Sequence, residues 1–261
     1  MARPRRRLLA LGALALASIA YGLALGAIFR AVAQPLPIDR LAPKSVTSRR
    51  LLDRHGILLR EILARPDGRA HWVDLDAISP HLIAATLASE DQRFYEHAGV
   101  DPRALLRALL LNVTHGRIMS GGSTLTMQLA RLLSPEPRSL GAKTRQITRA
   151  IKLEALLSKT QILTQYLNRA PYGGGSFGVE AAARRYFAKP AAEVSLAEAT
   201  LLAALPRSPQ GYSPLQASGR RRVRRRQRYI LAMMRRQKRI DDESLRIALA
   251  EPLALERLRR P

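Results

Sequence analysis

The sequence of 261 residues contains no cysteine, so disulfide bonds and thiolate metal sites are excluded. Aromatic residues make up only 5% of the chain, although 47% of it is hydrophobic. Leucine and alanine must therefore build most of the core, and both are strong helix formers. A chain of this length can form one domain of medium size around such a core. We therefore predict a mainly α-helical protein.

Acidic residues are also scarce. The chain has 20 Asp and Glu but 44 Lys and Arg, which gives a formal net charge of +24. An excess of this size indicates an anionic partner or surface. Nucleic acid, acidic lipid and pyrophosphate all satisfy it, and charge alone does not choose between them.

An uncharged run near the N-terminus helps to choose between these possible partners. Four arginines lie among the first seven residues, and Leu8 to Phe29 follows without a charge. As a helix this run would span roughly 33 Å, about the hydrocarbon thickness of a bilayer. We predict a cytoplasmic tail (1–7), a single transmembrane anchor (8–30) and a chain that lies outside the membrane from there on. In that location anionic lipids and lipid pyrophosphates are the expected partners, and nucleic acid is not.

A cleavable signal peptide is the alternative for this segment, because Ala31-Val32-Ala33 has the small-x-small form of a cleavage site. The apolar run is longer than the usual signal core, which favours the anchor.

Proline, glycine and helix-capping residues divide the rest of the chain into segments. Three prolines between Gln34 and Lys44 predict an extended linker (31–47), followed by the main domain (48–240) and a C-terminal tail (241–261). Turn residues at His55-Gly56 predict a short hairpin, and Pro171 to Gly178 reads as a glycine-rich loop. Helices are predicted after Ser79-Pro80, Asp101-Pro102, Gly121-Gly122-Ser123, Ser139, Ser158 and Ser195, and over the basic run from Arg220 to Arg239.

Four polar clusters interrupt this helical pattern. Glu90 ends an apolar helix, and a carboxylate held against apolar surface has a raised pKa and can accept a proton. Two glycines at a helix start let the backbone approach a phosphate closely. Taken singly, each cluster is more often an ordinary helix end, turn or solvated face. The clusters are Glu90 to Gly99, Gly121 to Leu129, Ala142 to Glu154 and Tyr166 to Gly175.

In this order the clusters resemble glycosyltransferase family 51, the peptidoglycan glycosyltransferases. Its pattern Glu-Asp-x-x-Phe-x-x-His-x-Gly is met in full from Glu90 to Gly99, and Gly-Gly-Ser-Thr-Leu-Thr-x-Gln-Leu from Gly121 to Leu129. The similarity runs from about Ser48 to Met234. The third motif departs: the usual arginine and second glutamate are Ala142 and Gln146. This form is most similar to the penicillin-binding protein 1C branch of the family.

The resemblance implies a lysozyme-like glycosyltransferase domain with a small mobile lobe, held at the bacterial inner membrane with its catalytic domain in the periplasm. Lipid II and a lipid-linked glycan strand would be the substrates, and a separate transpeptidase a possible partner. No cofactor is required, although Mg or Mn could assist, and no metal site is predicted. Glu90 and Gln146 take the catalytic positions. The implied substrate-binding residues are Asp91, Phe94, His97, Ser123, Thr124, Thr126, Gln128, Lys143, Arg145, Glu154 and Asn168.

Several alternatives stay open at this point. Loss of the second glutamate leaves room for a catalytically impaired scaffold, with Glu154 as a candidate substitute carboxylate. A lysozyme-like lytic enzyme would need a general acid and admitted water. The leucines between Ala104 and Met119 fit either a lobe that dips into the membrane or ordinary core packing.

Overall fold

The computed structural model describes residues 32–63, 68–116, 121–137 and 139–253, together with residues 18, 22, 26, 29, 30 and 255. The described chain is mainly helical, as predicted. Its main α-helices, in chain order, are α1 Pro80–Glu90, α2 Pro102–Thr114, α3 Leu125–Leu133, α4 Leu140–Leu156, α5 Lys159–Arg169, α6 Val179–Phe187, α7 Leu196–Ala204, α8 Ala217–Arg236 and α9 Asp242–Ala250.

Local capping explains where these helices begin. Asp101 accepts hydrogen bonds from the first free backbone N–H groups of α2, and Thr124 does the same for α3. Ser158 and Ser195 each form a reciprocal capping box with the residue three positions later. Ser79 precedes α1 as predicted, but its hydroxyl donates to the carbonyl of Val194 instead of capping the helix.

The core is centred on α7, whose residues from Ala197 to Ala204 are all buried. Helix α7 packs against α1 and α8, while α3 packs against α4 and α5. The described part of the C-terminal segment also joins this core through Ala248, Leu253 and Leu255. The C-terminal end of α1 and the N-terminal end of α3 therefore meet at a place fixed by buried helices on both sides.

Two small sheets lie outside the helical core. Strands β1 (Arg49–Leu52) and β2 (Leu58–Ile62) form the predicted antiparallel hairpin. The stretch predicted as a glycine-rich loop instead contains strands β4 (Pro171–Gly173) and β5 (Ser176–Phe177). The loop prediction was wrong because β4 and β5 pair with each other antiparallel, and β5 also pairs in parallel with the distant strand β3 (Arg69–Ala70), a contact that local sequence does not reveal.

The segment predicted as an extended linker contains 3-10 helices at Ile38–Leu41 and Pro43–Ser45. It is bonded to the helices behind it, so an extended linker is wrong here. Lys152 donates to the carbonyls of Val32 and Gln34, at 2.6 and 2.8 Å. At the other end, Gln165 donates to the carbonyl of Leu41 at 2.9 Å, which seats the segment on α4 and α5.

The predicted anchor at 8–30 lies almost wholly outside the described residues. Among the residues that are described, no helix is long and apolar enough to cross a membrane. Helix α2 presents five large apolar side chains to solvent, so core packing is the wrong alternative for them. These are Leu106, Leu109, Leu110, Leu111 and Val113.

Candidate active site

A cleft of about 780 Å³ opens where the end of α1, the turn before α3, and helices α4 and α8 come together. The predicted positions Glu90, Ser123, Gln128, Lys143 and Gln146 all line it. Three of the four clusters found in the sequence therefore contribute to one concave surface.

Glu90 ends α1 and is partly buried at the cleft wall. Gln128 donates its side-chain amide to a Glu90 carboxylate oxygen at 2.9 Å. Burial raises the pKa of Glu90, while the Gln128 hydrogen bond and the positive charges of Arg226 and Arg207 act in the opposite direction. A carboxylate of this kind holds protons more strongly than an exposed one, which suits a proton acceptor.

Asp91, next to Glu90, is buried, and its carboxylate fixes the backbone around it. One of its oxygens accepts from the N–H of Leu125 at 2.9 Å, which ties the end of α1 to the start of α3. The buried His97 ring lies 3.1 Å from both carboxylate oxygens. Thr124 donates to the carbonyl of Gly99 at 2.6 Å, a second bond between the start of α3 and the segment that follows α1. Phe94, buried beneath it, carries the ammonium of Lys159 over its ring.

Lys143 supplies an ammonium group inside the cleft. It donates to the hydroxyl of Ser123 at 2.7 Å and to the amide oxygen of Gln146 at 3.3 Å. Burial and the nearby charge of Arg131 lower the Lys143 pKa. Gln146 is itself held by donating to the backbone carbonyl of Met127 at 2.7 Å. A polar surface with one ammonium and several donors is suited to phosphate oxygens.

Arg145 does not extend into the cleft. It bonds to Glu136, and Arg149 bonds to the other oxygen of the same carboxylate at 2.6 Å. These two arginines lower the Glu136 pKa, so this carboxylate stays charged and offsets them. Arg145 therefore reaches the predicted site only through Glu136, which does line the cleft.

Three further predicted residues lie behind the cleft wall. Glu154 accepts from Thr126 at 2.6 Å and pairs with Lys159 at 2.9 Å. Thr126 is fully buried. Asn168 is buried as well, exchanging two hydrogen bonds with the backbone of Val73. In this structure these side chains support the wall, and their contact with substrate stays a prediction.

Other basic side chains reach the cleft that the sequence did not single out. Arg131 lies on α3, Arg207 at the end of the 3-10 turn Leu205–Arg207, and Arg226 on α8. A signal for Arg226 existed, because the buried positions Val223, Gln227, Ile230 and Met234 fix the phase of α8. Positions 226, 229 and 233 then fall together on the flank of that buried stripe, and all three line the cleft. Among the described residues no group of His, Asp and Glu has the arrangement of a metal site.

Comparison with known proteins places this cleft in context. The family model for the transglycosylase domain matches residues 55–235. Penicillin-binding protein 1C of Escherichia coli is 43% identical over 181 residues, covering 69% of this chain and 23% of that protein. Penicillin-binding protein 1A of Aquifex aeolicus is 41% identical over 187 residues, covering 71% of this chain and 26% of that protein.

A shorter relative is covered more completely. The biosynthetic peptidoglycan transglycosylase of Citrobacter koseri is 44% identical over 165 residues, covering 63% of this chain and 67% of that protein. The chain thus spans about a quarter of the penicillin-binding proteins it matches, and two thirds of this relative.

Proposed function

The chain belongs to the transglycosylase family, and we propose that it is a peptidoglycan glycosyltransferase that polymerises lipid II into glycan strands and releases undecaprenyl diphosphate. One observation carries the chemistry. Glu90 is a partly buried carboxylate with a raised pKa, held by Gln128 in a cleft whose basic side chains suit phosphate.

In the proposed reaction Glu90 takes the proton from the 4-hydroxyl of the acceptor sugar. The hydroxyl oxygen forms the new bond to the anomeric carbon of the lipid-linked strand, and the bond from that carbon to the diphosphate oxygen breaks. Inversion follows from attack opposite the leaving group. The diphosphate leaves with the electron pair and needs no protonating acid, which distinguishes this chemistry from glycoside hydrolysis.

Negative charge grows on the leaving diphosphate and has to be compensated. Lys143 is the best placed predicted residue for this task, because it is partly buried and is bonded to neutral groups only, Ser123 and Gln146. Arg131 adds a second charge beside it. Arg145 contributes less than the sequence suggested, since Glu136 already offsets its charge.

A lipid-linked substrate also implies contact with a bilayer. The exposed apolar side chains of α2, such as Leu106 and Leu110, would enter the lipid surface beside the cleft, to which the same helix contributes Ala104 and Arg107. In this arrangement the polyprenyl tail stays in the membrane while the sugar reaches Glu90. Attachment to the cytoplasmic membrane, with the domain in the periplasm, belongs to the same proposal.

The test is polymerisation of labelled lipid II by the full chain in detergent or liposomes. Glu90→Gln should lower the rate by roughly 10²–10⁴-fold, the usual contribution of a positioned base. Glu193→Gln is the matched control, because Glu193 is exposed and does not line the cleft. A folded Glu90→Gln protein that still consumes lipid II would exclude Glu90 as the base.

Because Gln146 replaces the second glutamate usual in the family, a second candidate function is a scaffold that binds lipid II with little turnover. The same assay separates the two, since binding without polymer would favour the scaffold. Release of muropeptides from finished glycan would instead favour a lytic enzyme.

A further inference from the structure

Helix α8 carries a row of exposed arginines outside the cleft. They are Arg221, Arg225, Arg228 and Arg236, and we call them the arginine stripe. At about 100° of rotation and 1.5 Å of rise per residue, they fall within an arc of roughly 80° and extend over roughly 22 Å of the helix. This arc lies on the side of α8 opposite its buried residues. The stripe is therefore a continuous outer surface of the domain.

The charge of the stripe is not offset by the helix that carries it. Helix α8 contains no Asp or Glu. Within the part of the chain that the structure describes, no ion pair joins a stripe residue to a carboxylate. Neighbouring arginines differ, because Arg222 donates to the carbonyl of Gly211 at 2.7 Å and Arg235 pairs with Asp242. The stripe thus directs four guanidinium groups towards whatever lies outside.

The stripe borders the mouth of the cleft. On the same helix Tyr229 lines the cleft, and its ring stacks with Arg226 inside it. Tyr229 is also 49% exposed and lies beside the stripe on the helix surface. Helix α2, with its exposed leucines, contributes to the lining of the same cleft. Two different outer surfaces, one basic and one apolar, therefore adjoin one opening.

These two surfaces match the two layers of a bilayer. A substrate whose polyprenyl tail stays in the membrane has to enter the cleft from the lipid side, so the surfaces that border the mouth face lipid as well. The leucines of α2 suit the hydrocarbon, and arginines suit the anionic head groups above it. Tyrosine is favoured at the boundary between these layers, which is where Tyr229 would lie.

We propose that the arginine stripe binds the anionic head groups of the bilayer, which seats the cleft on the membrane through a basic surface at α8 as well as the apolar one at α2. The inference rests on the proposed function. An exposed helix face is convex, and four charges spread along it meet a flat anionic surface together. The carboxylates of a peptide-bearing glycan strand are the alternative partner, and the experiment below separates the two.

The test places a fluorescent label in the stripe. Because the chain contains no cysteine, a single one can be introduced and labelled. Ala232 is exposed and lies within the arc of the stripe. The labelled full-length Ala232→Cys protein is reconstituted in vesicles that carry a nitroxide quencher on the head group. With about one third phosphatidylglycerol in phosphatidylcholine, the fluorescence should fall by about half, and it should change little in phosphatidylcholine alone.

Two other label positions serve as references. Ala192 is exposed on the turn that bonds to the start of α1, whereas the cleft lies at the other end of that helix, so a label at Ala192→Cys should not be quenched. A label at Leu110→Cys on α2 should be quenched in both lipid compositions, because apolar contact does not depend on lipid charge. Added salt should weaken quenching at Ala232→Cys and leave that at Leu110→Cys unchanged.

Charge variants then assign the effect to the stripe. Changing all four stripe arginines to glutamine should abolish quenching of the Ala232→Cys label. Changing all four to lysine should preserve it, because head groups respond to the charge more than to the planar fork, and this variant guards against a folding defect. A matched control removes four exposed charges elsewhere and should also preserve it: Lys44→Gln, Arg49→Gln, Arg54→Gln and Arg60→Gln.

The contrary outcomes are distinct. Equal quenching at Ala232→Cys and Ala192→Cys, or equal quenching with and without phosphatidylglycerol, would overturn the proposal even if the protein polymerises lipid II. A label that responds to peptide-bearing glycan and not to anionic lipid would assign the stripe to the product strand and overturn it as well. Strong quenching at Ala232→Cys in a protein that does not polymerise lipid II would count against the proposed function alone.

Discussion

The side-chain amide of Gln128 joins two groups, donating to Glu90 at 2.9 Å and accepting from the hydroxyl of Tyr166 at 3.3 Å. Burial raises the pKa of Tyr166 well above its ordinary value, so its hydroxyl remains a donor at any working pH. This fixes the amide with its nitrogen towards the carboxylate. Gln128 therefore orients Glu90 and favours its ionised form.

Gln128→Ala should move the acidic limb of the pH–rate profile to higher pH. The hydrogen bond from Gln128 lowers the Glu90 pKa, and its loss leaves burial less opposed. Hydrogen bonds to a charged group contribute about 1.5–3 kcal/mol, so a rate loss of at least about tenfold at neutral pH is expected. Polymerisation of lipid II across pH 4–9 measures both effects. Gln92→Ala, an exposed residue on the same cleft, is the control, and a limb that stays in place would argue against this role for Gln128.

Glu90→Gln should stabilise the fold at neutral pH while lowering activity. Because burial raises the folded-state pKa of Glu90 above the 4.5 of an unperturbed glutamate, the folded protein holds this proton at pH values where the unfolded chain has released it. Wild-type stability therefore falls as pH rises from about 4.5 to the raised pKa and is constant above it. The amide avoids that loss, so Glu90→Gln should be the more stable protein near pH 7.

Thermal unfolding of both proteins at several pH values measures this gain. The difference should vanish below the unfolded-state pKa of Glu90, where both states are protonated. Glu193→Gln should show no such pH dependence, since Glu193 is exposed. A Glu90→Gln protein that is less stable at neutral pH would contradict the expected sign.

Gln146→Glu should not raise activity, although it restores the residue usual in the family. The Gln146 amide donates to the backbone carbonyl of Met127, a bond that a carboxylate cannot make, and the new charge would offset Lys143. We expect KM for lipid II to increase about fivefold or more, equivalent to about 1 kcal/mol of binding free energy. A large gain in kcat would show instead that the natural chain is catalytically impaired.

Asn168→Ala should destabilise the protein without altering its chemistry. The side chain is buried and exchanges hydrogen bonds with the backbone of Val73, so its removal leaves buried polar groups unpaired. The expected loss is about 2–3 kcal/mol in the free energy of unfolding. Denaturant unfolding measures it, and kcat/KM at low temperature should stay near the wild-type value. An increased KM with unchanged stability would restore the predicted role of Asn168 in substrate binding.

The helix starts could be predicted because their causes are local. Ser195 and Glu198 satisfy each other's backbone partners within one turn, and Asp101 caps α2 through residues next to it in sequence. One of the two partners of strand β5 could not be predicted, because strand β3 lies about a hundred residues earlier in the chain. Local signals do not carry a pairing of that separation.

The candidate site shows the same difference between local signals and contacts made only in the fold. Motif residues such as Glu90 and Lys143 were identified from the sequence and lie in one cleft. The ion pair that ties Arg145 to Glu136 was missed, because Glu136 lies outside every motif and meets Arg145 only through tertiary packing. The bonding of Glu154 to Thr126 and Lys159 behind the cleft wall is likewise visible only in the fold.

The bonds from Lys152 to Val32 and Gln34 have a mechanical consequence. Helix α4 carries Lys152 on one turn and Lys143 on another, so the point where the chain enters the domain is rigidly linked to the ammonium group in the cleft. Tension on residues 32–34 would therefore reach Lys143 in the cleft through a single helix.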